Sequence, residues 1–420
     1  MRLIEREPVR VRGRALSDRA TPRHAAARRV DQLPGVHHTV TASSHQVGLA
    51  GTERCAVVGR HAVARQAAAC RAPERKVVVF VPAHNEQDNI GGTIESLLSQ
   101  SRRPDQIVVV ADNCTDATVD IAASYAVTIF STSGNTHKKA GALNQALGEH
   151  LPRLDSRDVV LVMDADSALD AHFLHNALRH VESGYAAVGG TFTGRDGGGF
   201  LGMLQRNEYA RYARDVSRRR GKALVLTGTA TALHVRALRD VLRARAEGRL
   251  PGASTVYDTR VLTEDNELTL ALLHLGWPII APAGCLMTTE VMTSWGDLYR
   301  QRLRWKRGAI ENLVDYGLTA ITLRYWVRQF WSFVGLLVTA VYLLSLVLTA
   351  VTRAAISLHP LWLIVTAIFA AERVVSVRGR GPSQMLLSAF LVVEMPYDIY
   401  LQGVHGKALF DAMTRRQGSW

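Results

Sequence analysis

Three stretches of the chain carry residue types that can do chemistry. In DVVLVMDADSALD, residues 158–170, a row of apolar β-formers ends in two carboxylates one residue apart, Asp164 and Asp166. Alternate residues at a strand end can bring both carboxylates to one cation. Mg2+ or Mn2+ is commonly held by one or two carboxylates plus the phosphates of a substrate. Aspartates at strand ends also make turns, so the pair by itself leaves both readings open. In VLTEDNELTLALLHLGW, Thr263-Glu264-Asp265 precedes apolar residues at helical spacing, Leu268, Leu272 and Leu275. Acids there favour a helix start through its dipole, and one of them could equally act as general base toward a hydroxyl. In WGDLYRQRLRWKRGAIENL, Gln301, Arg302, Arg304 and Trp305 bring together amide, guanidinium and indole, with Lys306 and Arg307 following. Guanidinium groups clamp phosphate oxygens, and an indole offers its face to the apolar side of a sugar ring. A basic helix beside a membrane, with a snorkelling Trp, would have the same composition.

The elements that must position these groups are legible in the pattern. KVVVFVPAHNE, DQIVVVADNCTD and DVVLVMDADSALD are continuous apolar runs, each followed by a stretch of helical character. Such runs predict parallel βαβ units with both sheet faces covered. Ligands of these sheets bind outside the carboxyl ends of the strands, so the polar clusters after Val81, Val110 and Met163 are expected in one crevice. The expected fold class is α/β: a Rossmann-type, mostly parallel sheet flanked by helices over residues 76–324, followed by C-terminal transmembrane helices.

Beyond residue 324 the texture becomes that of a membrane protein. Residues 330–352 form 23 uncharged residues, enough to span ~30 Å of hydrocarbon with some tilt. A second span is expected over 354–375. A third, over 383–403, is weakened by Glu394, Pro396 and Asp398 and reads either as a packed span or as a re-entrant or interfacial segment. Arg373, Arg378 and Arg380 follow the second span, which by the positive-inside rule puts that loop and the domain before the first span in the cytoplasm. The expected location is the plasma membrane, multi-pass, with membrane lipids as partners and residues 404–420 as a short tail.

A formal charge of +13 would suit a nucleic-acid binder. Residues 1–76, however, hold fifteen Lys and Arg against six Asp and Glu, a net of +9. Most of the excess therefore lies in residues 1–75, a basic tail without apolar periodicity or a signal-peptide core, read as mostly disordered. A nucleic-acid surface needs basic residues interleaved with aromatics on a folded face; here the folded part carries ordered acidic motifs, so no nucleic-acid partner is expected. The four cysteines, Cys55, Cys70, Cys114 and Cys285, show no paired or metal-ligand spacing and read as reduced thiols.

Taken in order, VPAHNE, VVVADNCTDAT, HKKAGALNQAL, MDAD, TGTATALHVRAL, LTED and QRLRW resemble the family-2 glycosyltransferases. The likeness is greatest to the membrane-embedded β-glycan synthases of the cellulose, hyaluronan and poly-N-acetylglucosamine type. It runs from about Val77 to Leu313. The resemblance implies a GT-A fold and a UDP-sugar donor, with Pro82, Glu86, Asp112 and Lys139 on the nucleotide side. It implies Asp166, with Asp164, at a divalent cation, Asp265 as general base and Glu264 as its neighbour at the helix start. Gln301, Arg302 and Arg304 would hold the diphosphate. Trp305 would floor the acceptor sugar, beside Thr227, Gly228 and Thr229. The chain departs from many members at Ala111, where they carry a first aspartate, leaving Asp112 as the sole carboxylate there.

The chemistry so implied is inverting, because a double displacement would need a second carboxylate as nucleophile and no motif supplies one. A processive synthase and an enzyme adding one sugar to a lipid or other membrane-bound acceptor both fit; the QRLRW motif favours the first. Two or three spans would need a homo-oligomer or an accessory membrane subunit to complete a channel. An inactive, scaffold-like transferase is disfavoured by the presence of Asp166, Asp265 and Trp305.

Overall fold

The computed structural model describes residues 75–352 and 360–414. The expectations for the basic tail, Cys55, Cys70, residues 354–359 of the second span and the last six residues lie outside them.

The first half alternates strand and helix: β1 (Val77–Ala83), α1 (Ile90–Leu98), β2 (Gln106–Ala111), α2 (Thr118–Ala123), β3 (Thr128–Ser131), α3 (Lys138–His150) and β4 (Val159–Met163). Then follow β5 (Ala168–Leu169), α4 (Phe173–Glu182), β6 (Ala187–Gly189), β7 (Thr191–Gly194), α5 (Gly199–Arg218), β8 (Ala230–His234), α6 (Val235–Ala246) and α7 (Glu264–His274). Next come β9 (Ile279–Ile280), β10 (Leu286–Thr289) and α8 (Trp295–Tyr316). The chain closes with α9 (Leu323–Thr352), α10 (Pro360–Val377), α11 (Pro382–Ala389) and α12 (Leu391–Met413).

The main sheet has seven strands in the order β3-β2-β1-β4-β8-β6-β9. The pairs β3–β2, β2–β1 and β1–β4 are parallel, as expected, and so is β6–β9. Strand β8 runs against both of its neighbours, β4 and β6, so the sheet is mixed. The apolar runs are continuous because both faces are covered. Val78 and Phe80 of β1 pack under α3, α6 and α7, while Val77, Val79 and Val81 pack under α1 and α4. A second sheet of three short strands, β5-β10-β7, stands beside the first.

This topology makes the crevice. Ala83 of β1 is level with Ala111 of β2, and Phe80 with Val162 of β4. Glu86, Asp112 and Asp164 therefore all leave the same edge. Because β8 is reversed, its start lies at that edge too: Met163 is level with Ala230, and the Asp164 N–H donates to the Thr229 carbonyl at 3.0 Å.

Among the described residues, one helix, α9, is long and apolar enough to cross a membrane, and Val341, Leu344 and Val347 on it are exposed. The segment expected as a third span is not one helix. It breaks at Phe390 between α11 and α12, and α12 packs along α8. Pro396 lies inside α12 without ending it, and Glu394 and Asp398 dock the helix. Glu394 is fully buried and accepts from Asn207 and Arg211 of α5, each at 2.9 Å, and from Arg373 at 2.5 Å. Asp398 pairs with the same arginine. These charges fasten α12 to the α/β domain, and the helix continues to Met413, through the stretch expected as a tail.

Candidate active site

Lys139, near the start of α3, reaches across to the end of β4. Its Nζ donates to Asp164 Oδ1 at 2.5 Å and to the Gly228 carbonyl at 3.2 Å, and stands 3.6 Å from Glu264 Oε1. Burial alone would pull the ammonium down, but the carboxylates of Asp164, Glu264 and Asp265 outweigh it and hold Lys139 charged. Burial pushes the Asp164 carboxyl up, against the pull of Lys139.

Asp265 is the second residue of α7. One carboxylate oxygen accepts from the Gly228 N–H at 2.7 Å and the other from the Asn266 N–H at 2.7 Å. The second bond is the helix-start contact the sequence allows; the first ties the helix to the TGT segment. Burial, then repulsion from Glu264, pushes Asp265 up to about 6, against Lys139 and the two N–H bonds. Lys139, Thr227, Gly228, Tyr257, Glu264 and Asp265 line one cavity. Thr227 Oγ1 is buried there without a hydrogen-bond partner among the described residues.

At the other end of the crevice, Asp166 accepts from Ser167 Oγ at 2.9 Å, and Arg195 Nη2 donates to its carbonyl at 2.9 Å. Glu86 is raised by burial and by the nearby carboxylates of Asp166, Glu290 and Asp164, while Asn89 opposes this with a hydrogen bond. Asp112 is buried, and its Oδ1 accepts from Thr132, Asn135 and Asn113 at 2.7, 2.9 and 3.1 Å. Asn113, in the left-handed region at φ 51°, makes the turn that aims this group. Pro82, in contrast, is part of β1 itself.

The QRLRW segment lies within α8. Asn312 of α8 donates to the Thr263 carbonyl and to Asn266 Oδ1, both at 3.1 Å, fixing α8 against the start of α7. Arg302, expected at the diphosphate, is 2 % exposed; it donates to Glu208 at 2.9 Å and to Gln301 at 2.6 Å. Its guanidinium stacks 4.4 Å from the centre of the Trp305 ring. Arg304 is exposed on the same helix.

Sequence reasoning missed Arg195, Glu208, Tyr257, Glu290 and Tyr397. Each lies outside the seven motifs, and what brings them in is the small sheet, the loop before α7 or the docking of α12. The glycine-rich GRDGGG stretch at 194–199 was the one signal that the chain turns sharply beside Arg195.

Residues 73–308 match the family model described as glycosyltransferase like family 2, and the chain belongs to that family of glycosyltransferases. It is 25% identical over 282 residues to a poly-beta-1,6-N-acetyl-D-glucosamine synthase of Staphylococcus aureus (strain MSSA476), covering 64% of each chain. It is 28% identical over 258 residues to a probable glycosyltransferase YdaM of Bacillus subtilis (strain 168), covering 56% of this chain and 55% of that one. The chain thus spans less than two thirds of the length of these relatives. Among solved structures, the mannosyltransferase PcManGT from Pyrobaculum calidifontis, in complex with GDP-Man and Mn2+, superposes with a TM-score of 0.51 at 18% identity. That match covers 82% of this chain and 89% of the other. The fold is GT-A-like.

Proposed function

We propose that the protein transfers a sugar from a UDP-linked donor, with inversion, to the end of a glycan held at the cytoplasmic face of a membrane, in successive rounds. The observation that carries this is Asp265. It is a carboxylate raised to about 6, fixed by Gly228 and Asn266 in a cavity wall beside Lys139 and Asp164. A group with that proton affinity is ionised at neutral pH and basic enough to take a hydroxyl proton. Thr227, with its unpartnered buried hydroxyl, supports an acceptor sugar on the same wall.

The residues at the end of β4 suit a divalent cation. Asp164 and Asp166 are hard oxygen donors whose mutual repulsion a cation would relieve. Among the described residues no group of three or more His, Cys, Asp or Glu can enclose an ion, so the protein's share is one or two carboxylates. That suits Mg2+ or Mn2+ completed by a diphosphate and water. Asp164 is engaged by Lys139, which favours Asp166 as the principal ligand. When bound, the cation would offset charge growing on the leaving diphosphate. Arg304 would assist at the same oxygens, while Arg302, bonded to Glu208 and stacked on Trp305, would brace the helix. Asp265 would take the acceptor proton as its oxygen attacks the anomeric carbon from the face opposite the diphosphate. Asp112 and Glu86 would hold the nucleoside, and Trp305 would floor the acceptor ring.

The name of the Staphylococcus aureus relative supports N-acetylglucosamine as the sugar and a polymer as product. Helix α9 supports a membrane location, and the contacts of Arg373 and Glu372 with α12 and α5 support a basic loop on the same side as the catalytic domain. The test is release of UDP from UDP-N-acetylglucosamine and UDP-glucose by purified membranes with Mg2+ or Mn2+, followed by product mass. A ladder of added sugars supports processive transfer. Single-sugar adducts would replace it with the lipid-acceptor reading, and no release from any nucleotide sugar would leave an inactive scaffold.

A further inference from the structure

The indole proposed to floor the acceptor does not stand alone. Arg302 lies one turn before Trp305 on α8, with its guanidinium carbon 4.4 Å from the ring centre and 5.5 Å from the centre of Tyr209. A cation against an indole face is attractive, more so when desolvated, and Arg302 is nearly fully buried. The guanidinium would be costly there unless paired. Glu208 of α5 supplies the counter-charge at 2.9 Å, and outweighs the burial that would otherwise lower the arginine. The same Glu208 oxygen, Oε2, accepts from the Tyr397 hydroxyl at 2.6 Å. Tyr397 is 1 % exposed and belongs to α12, the helix fastened to the domain through Glu394.

We propose that Glu208 and Tyr397 are positioning residues for the acceptor platform, acting on Trp305 through Arg302. This rests on the reading of Trp305 as the acceptor floor. Three helices meet in one chain of contacts: Tyr397 from α12 orients the Glu208 carboxylate, Glu208 fixes the Arg302 fork, and Arg302 fixes one face of the indole. Trp305 keeps 37 % of its surface exposed, so part of the residue stays accessible to a sugar while Arg302 covers the ring from one side. A charge-assisted bond to Glu208, with a second bond from Arg302 to Gln301, holds the guanidinium more narrowly than packing alone, and a flat ring aligned in advance binds a sugar with a smaller ordering cost. The C-terminal helix, which contributes no motif, thereby sets the geometry of the motif tryptophan.

The test uses the full chain in detergent micelles, UDP-N-acetylglucosamine as donor and a β-1,6-linked N-acetylglucosamine oligosaccharide as acceptor. In Y397F and E208Q the acceptor KM is expected to rise about 3-fold and about 10-fold, with donor KM moving less than about twofold. W305A raises acceptor KM at least as much, and adding E208Q to W305A raises it by less than about twofold again, because the two act through one contact chain. Y397F removes a single hydroxyl, so it keeps the test open should E208Q fail to fold. Unchanged acceptor KM in Y397F and E208Q, full additivity with W305A, or donor and acceptor KM rising together would overturn the positioning role while leaving the proposed function standing. Absence of wild-type turnover with any nucleotide sugar would overturn both.

Discussion

Gly308 of α8 approaches Thr263, the residue that precedes α7, so closely that a methyl group on it would stand 2.5 Å from Thr263 Oγ1 and 2.8 Å from Thr263 Cγ2. This contact lets the helix bearing QRLRW sit against the helix start bearing Glu264 and Asp265. Gly308→Ala brings a helix-propensity gain of about 1 kcal/mol. It also forces a short branched side chain, itself bonded to Asn312, out of place, and overpacking of this kind costs about 1–3 kcal/mol. The clash wins: G308A is expected to lower the unfolding midpoint and to cut kcat/KM about tenfold. Thr263→Ala, which removes both clashing atoms, should restore most of each loss, whereas Thr263→Ser, which keeps Oγ, should not. Thermal unfolding and UDP-release rates of the single and double variants decide it.

The acid raised to about 6 makes activity depend on pH. A base must be ionised, so kcat/KM should climb through about pH 6 and level off above it. Asp265→Asn should abolish that limb and lower turnover by about 100- to 10,000-fold. Stability runs the other way. The native carboxyl keeps its proton up to about pH 6 and the unfolded one only to its ordinary value near 3.8, so wild-type stability falls as pH rises between the two. D265N escapes this cost. It should be more stable than wild type by on the order of 1–2 kcal/mol at pH 7.5, with the advantage gone below about pH 4. Urea unfolding at the two pH values measures it.

Lys139 stands 2.5 Å from Asp164 Oδ1, and this separates the two aspartates of the D-x-D pair. Asp166→Asn is expected to raise the Mn2+ concentration for half-maximal UDP release by about 100-fold, and Asp164→Asn by about tenfold or less. Equal shifts in a Mn2+ titration would show that both carboxylates touch the ion.

Arg245 and Glu267 form a buried pair at 2.5 Å, both side chains almost without solvent contact. Tyr316 at the end of α8 donates to the other Glu267 oxygen at 2.6 Å, and Arg245 donates to the carbonyls of Thr255 and Val256 at 2.7 and 3.0 Å. The pair therefore ties together α6, α7, α8 and the loop that leads into Tyr257. Removing one partner leaves a buried charge, so Arg245→Met should cost about 3–5 kcal/mol, while R245M/E267L together should cost less than R245M alone. A double-mutant cycle by denaturant unfolding checks the sign.

Val341 lies near the middle of the apolar stretch of α9 and is exposed. Val341→Arg puts a charge at the centre of the proposed span, at a cost of about 3 kcal/mol. The variant should shift from the membrane fraction toward the soluble or aggregated fraction, read by carbonate extraction. A distribution identical to wild type would argue against α9 as a span.

Much of the sheet was readable because local sequence carries it. A strand buried on both faces must be apolar at every position, so Val77–Ala83, Gln106–Ala111 and Val159–Met163 announce themselves, and a reading of where they end places Glu86, Asp112 and Asp164 at one edge. The reversal of β8 was not readable, because ATALH looks the same in either direction. Direction is decided by which neighbour pairs with it. The docking of α12 was hidden by the same limit. A window of Leu, Val, Tyr and Met reads as a membrane segment until Glu394 and Asp398 find Arg211 and Arg373 more than twenty residues away or on another helix.

By itself, then, the sequence determined which residues carry reactive groups, which runs must be buried strands, and that a 23-residue stretch is free of charge. Those properties follow from side-chain chemistry and local periodicity. Only the tertiary structure decided that Lys139 neutralises Asp164, that Gly228 holds Asp265, and that Arg302 is sealed between Glu208 and Trp305. Electrostatic pairing and close approach depend on distances between segments far apart along the chain, and those distances exist only once the sheet has fixed its order and the helices have docked.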